Sequence, residues 1–190
     1  MIDQSMRLLA KSLLQRLDEL ESTHPQWMWE FDVHSQELAE CVEVLANTNR
    51  SELSNVESLV SDPGRSIRTI ADTLTSAACW ICINCDSDTR QQLLTTLAPW
   101  GHISALLANL SGRLLLRFQN TGDVRYVRLC LAAIALLADN ADPREESAFI
   151  QRLSKALVEH GHAPMPILQE FAMLSTGQAR SLLENASRTN

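Results

Sequence analysis

Apolar residues recur at steps of three and four along almost the whole chain, which is the spacing of helices that each bury one face. Ile2, Met6, Leu9, Leu13, Leu17 and Leu20 form one such stripe, with Arg7, Lys11, Arg16 and Asp18 elsewhere around the axis, and predict an amphipathic helix over 2–21. Ser35 caps a second helix to about Ala46, with Leu38, Val42 and Leu45 inward and Glu37, Glu40 and Glu43 outward. Ser51 caps a shorter one to Val60. Asp62-Pro63 has the form of a cap and first turn, opening a helix that Ile67, Ile70, Leu74, Ala77, Ala78 and Ile81 carry toward Cys85.

The second half continues in the same manner. Asp86, Ser87 and Asp88 offer a cap for a helix to about Ala98, which Pro99-Trp100-Gly101 ends. From His102 to Phe118 the stripe is Ile103, Leu106, Leu107, Leu110, Leu114 and Leu115, and Gly112 within it either weakens the helix or admits a close neighbour. Asp123 to Leu157 is two consecutive helices, and LCLAAIALLA, from Leu129 to Ala138, carries no charge. A helix apolar on nearly every side must be covered on nearly every side, so this segment is expected to be the central rod of the fold. Asp142 and Glu145 fit a capping box, and Gly161 closes that helix. Pro164 and Pro166 open another to about Leu174, and Ala179, Leu182 and Leu183 stud a final short one.

These elements predict an all-α chain, read as one multi-helix domain over 1–190: an N-terminal amphipathic helix (1–21), an aromatic connector (22–34) and a helical body (35–190). Helix starts near 62, 88, 102, 122, 142 and 165 make hairpins recur about every forty residues, the length of a HEAT or armadillo unit. The Asp62-Pro63 and Asp142-Pro143 starts lie two such units apart, so the segment resembles a short alpha-solenoid. An irregular helical bundle explains the same spacing, and both arrangements stay open at this level.

Composition narrows the class. With 190 residues, 45% of them hydrophobic and 21% charged, the chain is long enough to bury a sizeable core, and six Gly and six Pro are too few for a many-turned barrel or sandwich. The net charge of −7 argues against a generally basic nucleic-acid binder. Charge is also uneven: eleven acids lie between Asp18 and Asp62 with Arg50 the only base, whereas Arg113, Arg117, Arg125 and Arg128 face Asp123 alone. No secretory leader or membrane span is expected, and five cysteines in such a chain point to reduced thiols and a cytoplasmic setting.

Three groups carry candidate chemistry. Cys79, Cys82 and Cys85 have CxxCxxC spacing, suited to an iron–sulfur cluster or zinc, but on a helix they fall along one side and fit a packed stripe better. Arg113, Arg117, Arg125 and Arg128 span one helical hairpin and suit phosphates, a nucleic acid or the protein's own acids. Trp27, Trp29 and Phe31 fit a loop that clamps the first helix onto the body or, beside Glu37, Glu40 and Glu43, offer anchors and a steering surface for another protein, one of basic character. His160-Gly161-His162 is expected to complement a helix C-terminus. No GxSxG, HExxH, Walker A or dinucleotide fingerprint occurs, so no reaction can be named and no cofactor is implied. The leading expectation is a non-enzymatic helical module, an adaptor, regulator, chaperone or inhibitor that binds protein through a groove or face, with homodimerisation as a variant. A nucleic-acid-associated protein on the arginine hairpin, and a metalloprotein on the cysteines, are the alternatives.

Overall fold

The computed structural model describes residues 2–23, 36–64, 67–97, 101–137, 142–175 and 177–189, with the backbone alone described at 36–38, 67–69, 101–106, 177–179 and 189. Among these residues no strand occurs, and the chain is all-α. The helices are α1 (Ile2–Thr23), α2 (Gln36–Asn47), α3 (Leu53–Ser61), α4 (Ile67–Asn84), α5 (Ser87–Leu97), α6 (Gly101–Thr121), α7 (Val124–Leu137), α8 (Pro143–Glu159), α9 (Pro164–Leu174) and α10 (Gly177–Thr189). They form two compact units, Met1–Leu97 and Ala98–Asn190.

In the first unit α4 is the enclosed element. Every residue from Ala71 to Cys82 is buried, and α1, α2, α3 and α5 all pack against the helix. Trp80 is fully buried there, and its indole N–H donates to the carbonyl of Thr48 at 3.0 Å, fixing the exit of α2. The stripe predicted for α1 buries Met6, Leu9, Leu13, Leu17 and Leu20, whereas Ile2, its first member, is exposed at the start of the helix.

In the second unit α7 is buried from Leu129 to Leu137 without a break. It packs against α6, α9 and α10. Ala132, Ala133 and Ala135 keep its girth small, and the Cys130 thiol donates to the Ser111 carbonyl of α6 at 3.5 Å. The described part of the uncharged run, to Leu137, is thus enclosed, but as the centre of the second unit rather than of the whole chain, since α4 holds that place in the first.

Several helix ends differ from the sequence expectation. Asp62 ends α3, its N–H donating to the Ser58 carbonyl, and α4 is described from Ile67. Gly64 sits at φ 127°, a conformation that interrupts any helix begun at Pro63. At Asp142-Pro143, by contrast, the carboxylate does cap α8, accepting from the Arg144 N–H at 2.8 Å. The two Asp-Pro pairs share a sequence offset but not a geometry. Ser51 lies inside a 3-10 turn, Arg50–Glu52, that enters α3 from Asn49, so the start lies upstream of the expected cap. The final helix, α10, runs for 13 residues, somewhat longer than α9. A Cβ on Gly112 would meet nothing within 4 Å, so this glycine does not admit a neighbour and costs α6 roughly 1 kcal/mol against alanine.

Asp86 joins α4 to α5 and ties both to α1. Its carboxylate accepts from the Thr89 N–H and hydroxyl, each at 3.0 Å, and from Arg7 Nε at 3.2 Å. The Thr89 backbone bond first, then the Arg7 guanidinium, hold its pKa well below the usual carboxylate range. A depressed folded-state pKa means that the stabilisation is complete above the unfolded value, near pH 4, and is lost as the pH falls through the folded one. Asp86→Ala should therefore lower the melting temperature at pH 7, and the two proteins should converge toward pH 2. A gap that stays constant from pH 7 to pH 2 would contradict this assignment.

Candidate functional site

The outer face of α2 carries the acidic candidates. Helical spacing sets Glu37, Glu40, Glu43, Val44 and Asn47 on one side of this helix, opposite the buried Val42, Leu45 and Ala46. Glu40 and Glu43 are exposed, and Val44 among them is 45% exposed. Glu37 stands in the first turn, and its side chain lies outside the described residues, as do Trp27, Trp29 and Phe31 in full. The other end of this unit is less acidic than its sequence: Arg50 pairs with Asp3, and Arg16 with Glu19 at 3.4 Å.

A cleft of about 310 Å³ opens between the C-terminal half of α1, the end of α3 and α4, lined by Arg16, Glu19, Leu20, Asp62 and Leu74 among others. The Arg16 guanidinium already donates to the Ser61 carbonyl at 2.9 Å as well as to Glu19. Its donors hold the wall of the cleft together rather than pointing to a ligand.

The cysteine group is buried at the C-terminal end of α4 and just past it. Cys79, Cys82 and Cys85 follow one another at i, i+3 and i+6, and the Cys85 thiol donates to the Cys82 carbonyl at 3.8 Å. Burial pushes the Cys82 thiol up to about 12 and Cys85 to about 11. Burial also pushes Cys41 up to about 12, against the opposing hydrogen bonds of Thr73 and Ser76. A thiolate is the form that attacks or ligates, and these thiols hold their protons at neutral pH. Among the described residues no three His, Cys, Asp or Glu side chains gather as a metal set.

The same region holds a group that the sequence does not reveal. Arg90, buried at the start of α5, donates from Nε to the Cys82 carbonyl at 2.6 Å and from Nη2 to the Cys85 carbonyl at 2.9 Å. A guanidinium thus closes the C-terminus of α4, where open carbonyls and the helix dipole both favour a cation.

The arginine hairpin is partly self-neutralised. Arg125 binds Asp123 through Nε at 3.0 Å and Nη2 at 2.6 Å, and Arg128 lies 3.7 Å from Glu170 of α9. Arg113 and Arg117 are half-buried along α6. The acids they were expected to neutralise belong to the first unit, but the pairs at Arg125 and Arg128 are made with acids of their own unit. His160 caps its own helix through the backbone, its N–H donating to the Ala156 and Leu157 carbonyls, and its ring reaches a second helix. Its Nε2 lies 3.0 Å from the Gln119 carbonyl at the end of α6, its ring centroid is 5.0 Å from that of Phe118, and Gly122, at φ 69°, leaves room for the ring.

No family model, curated protein or solved structure matches the chain. Among the described residues no helix is long and apolar enough to cross a membrane.

One surface was missed by the sequence reading altogether. Helix α9 buries Leu168, Phe171 and Ala172, and on its opposite side Met165, Pro166, Gln169 and Met173 are exposed. Met173 is 78% exposed and Met165 45%. In sequence, PMPILQEFAML is apolar around most of its circumference, so spacing alone does not say which side is covered.

Proposed function

We propose that the protein is a non-enzymatic binding module that receives a basic, amphipathic protein segment on the outer face of α2. The observation that carries this reading is Val44: an apolar side chain, 45% exposed, set among carboxylates on one helix face. Acids alone are a solvated surface, whereas acids around an exposed apolar position match a partner helix whose basic residues flank an apolar stripe. The acidic excess between Asp18 and Asp62 adds long-range attraction for such a partner. The protonated, buried thiols and the committed donors of Arg16 favour binding over covalent chemistry.

The test uses the full chain and a synthetic Lys- and Leu-rich amphipathic peptide. Wild type should bind it with an affinity that falls as salt is added, since the charges are exposed. Glu37→Lys, Glu40→Lys and Glu43→Lys together should weaken binding about tenfold or more, and Val44→Asp should weaken it while adding negative charge. Circular dichroism should match wild type in both variants. Binding indifferent to the triple reversal, or strengthened by Val44→Asp, overturns the reading.

A further inference from the structure

We infer that the exposed face of α9 is the contact through which two copies of this chain associate, antiparallel, about a two-fold axis at Gln169. Met165 and Met173 stand four residues before and four after Gln169, and all three are exposed along one side of the helix. An antiparallel pair centred on Gln169 sets Met165 of each copy against Met173 of the other, with the two amides meeting on the axis. Such a two-fold pairing sets methionine on methionine at both ends of the stripe, an apolar match that a stripe with one charged end would not give. Methionine suits such a contact, being flexible enough to fill the gap between two like faces.

At this face charge does not oppose the same occupant. The chain carries −7, so copies repel through most pairings of their surfaces. Glu170 is the one ionisable side chain between Pro164 and Leu174, and it lies 3.7 Å from Arg128, both groups being half-exposed. A two-fold axis perpendicular to the helix pair brings both Glu170–Arg128 pairs to the same rim. Each guanidinium then bridges the carboxylate of its own copy and that of the second, and the contact carries no net charge. A single helix pair is small beside the ~1,600 Å² of a standard interface, so dissociation is expected on the order of 10–100 micromolar. This contact uses a different helix from the α2 face, and neither proposal depends on the other.

Sedimentation equilibrium of the full chain, from micromolar to millimolar loading, tests it. Wild type should pass reversibly from monomer to dimer. Met173→Asp should shift the transition at least about tenfold upward in concentration, with circular dichroism unchanged because the side chain is exposed. Arg128→Glu should weaken the dimer by gathering four carboxylates at the rim, and the exchange Arg128→Glu with Glu170→Arg should restore it. A chain that stays monomeric throughout, a dimer unaffected by Met173→Asp, or a charge exchange that fails to restore association overturns the inference and assigns the stripe to another partner.

Discussion

Leu131→Asp should leave the second unit unfolded at neutral pH. Leu131 is fully buried in α7, within a run of nine buried residues that ends at Leu137. A carboxylate forced into such a place has its pKa raised by up to 3–5 units, and having to take up a proton at neutral pH, about three units above its ordinary value, costs about 4 kcal/mol. Loss of the leucine packing adds about 2–5 kcal/mol. The stability of a whole domain is roughly 5–15 kcal/mol, so the sum removes most or all of it. Leu131→Asn, similar in volume and without the charge, should be less severe. Amide hydrogen exchange is the direct measurement: protection should collapse in α6, α7, α9 and α10. Native protection of these helices in Leu131→Asp would show that α7 is not the enclosed element.

Trp80→Ala should destabilise the first unit by about 3–5 kcal/mol, the range for deleting a buried tryptophan. The side chain is 2% exposed and is the largest of those buried in α4. Its removal opens a cavity against α2 and also leaves the Thr48 carbonyl without its indole donor. Trp80→Phe separates the two effects, since it keeps most of the apolar volume and loses the N–H; about 1–2 kcal/mol is expected from that bond alone. The urea midpoint for loss of α2 and α4 protection reads both values. Equal losses in Trp80→Ala and Trp80→Phe would place the stabilisation in the hydrogen bond rather than in packing.

The contrast between α7 and α4 shows how much of this fold is legible in the chain. The LCLAAIALLA run announces burial because nothing in it can face water. Helix α4 is enclosed to the same degree, yet Asp72, Thr73, Thr75 and Ser76 interrupt its apolar run and disguise it. The Thr75 hydroxyl donates back to the Ala71 carbonyl at 2.7 Å, so a hydroxyl is buried at little loss and leaves no trace in the spacing. The cysteine stripe was readable as core-facing by the same periodicity. Arg90 was not: its role arises from a helix end eight residues away, and no local pattern encodes that. The α2 face was visible as glutamates at helical steps. Whether Val44 lay inside or outside depended on which neighbours α2 met.

Sequence by itself determined that the chain is helical, where most helices lie and which side of the strongly amphipathic ones, α1 above all, turns inward. Those properties are set within one or two turns, by residue spacing, caps and breakers. Tertiary structure alone decided that the elements form two compact units and that α9 keeps a methionine face in water. Each of these depends on contacts between segments distant in the chain, where small differences in packing choose among arrangements that local preference leaves equal.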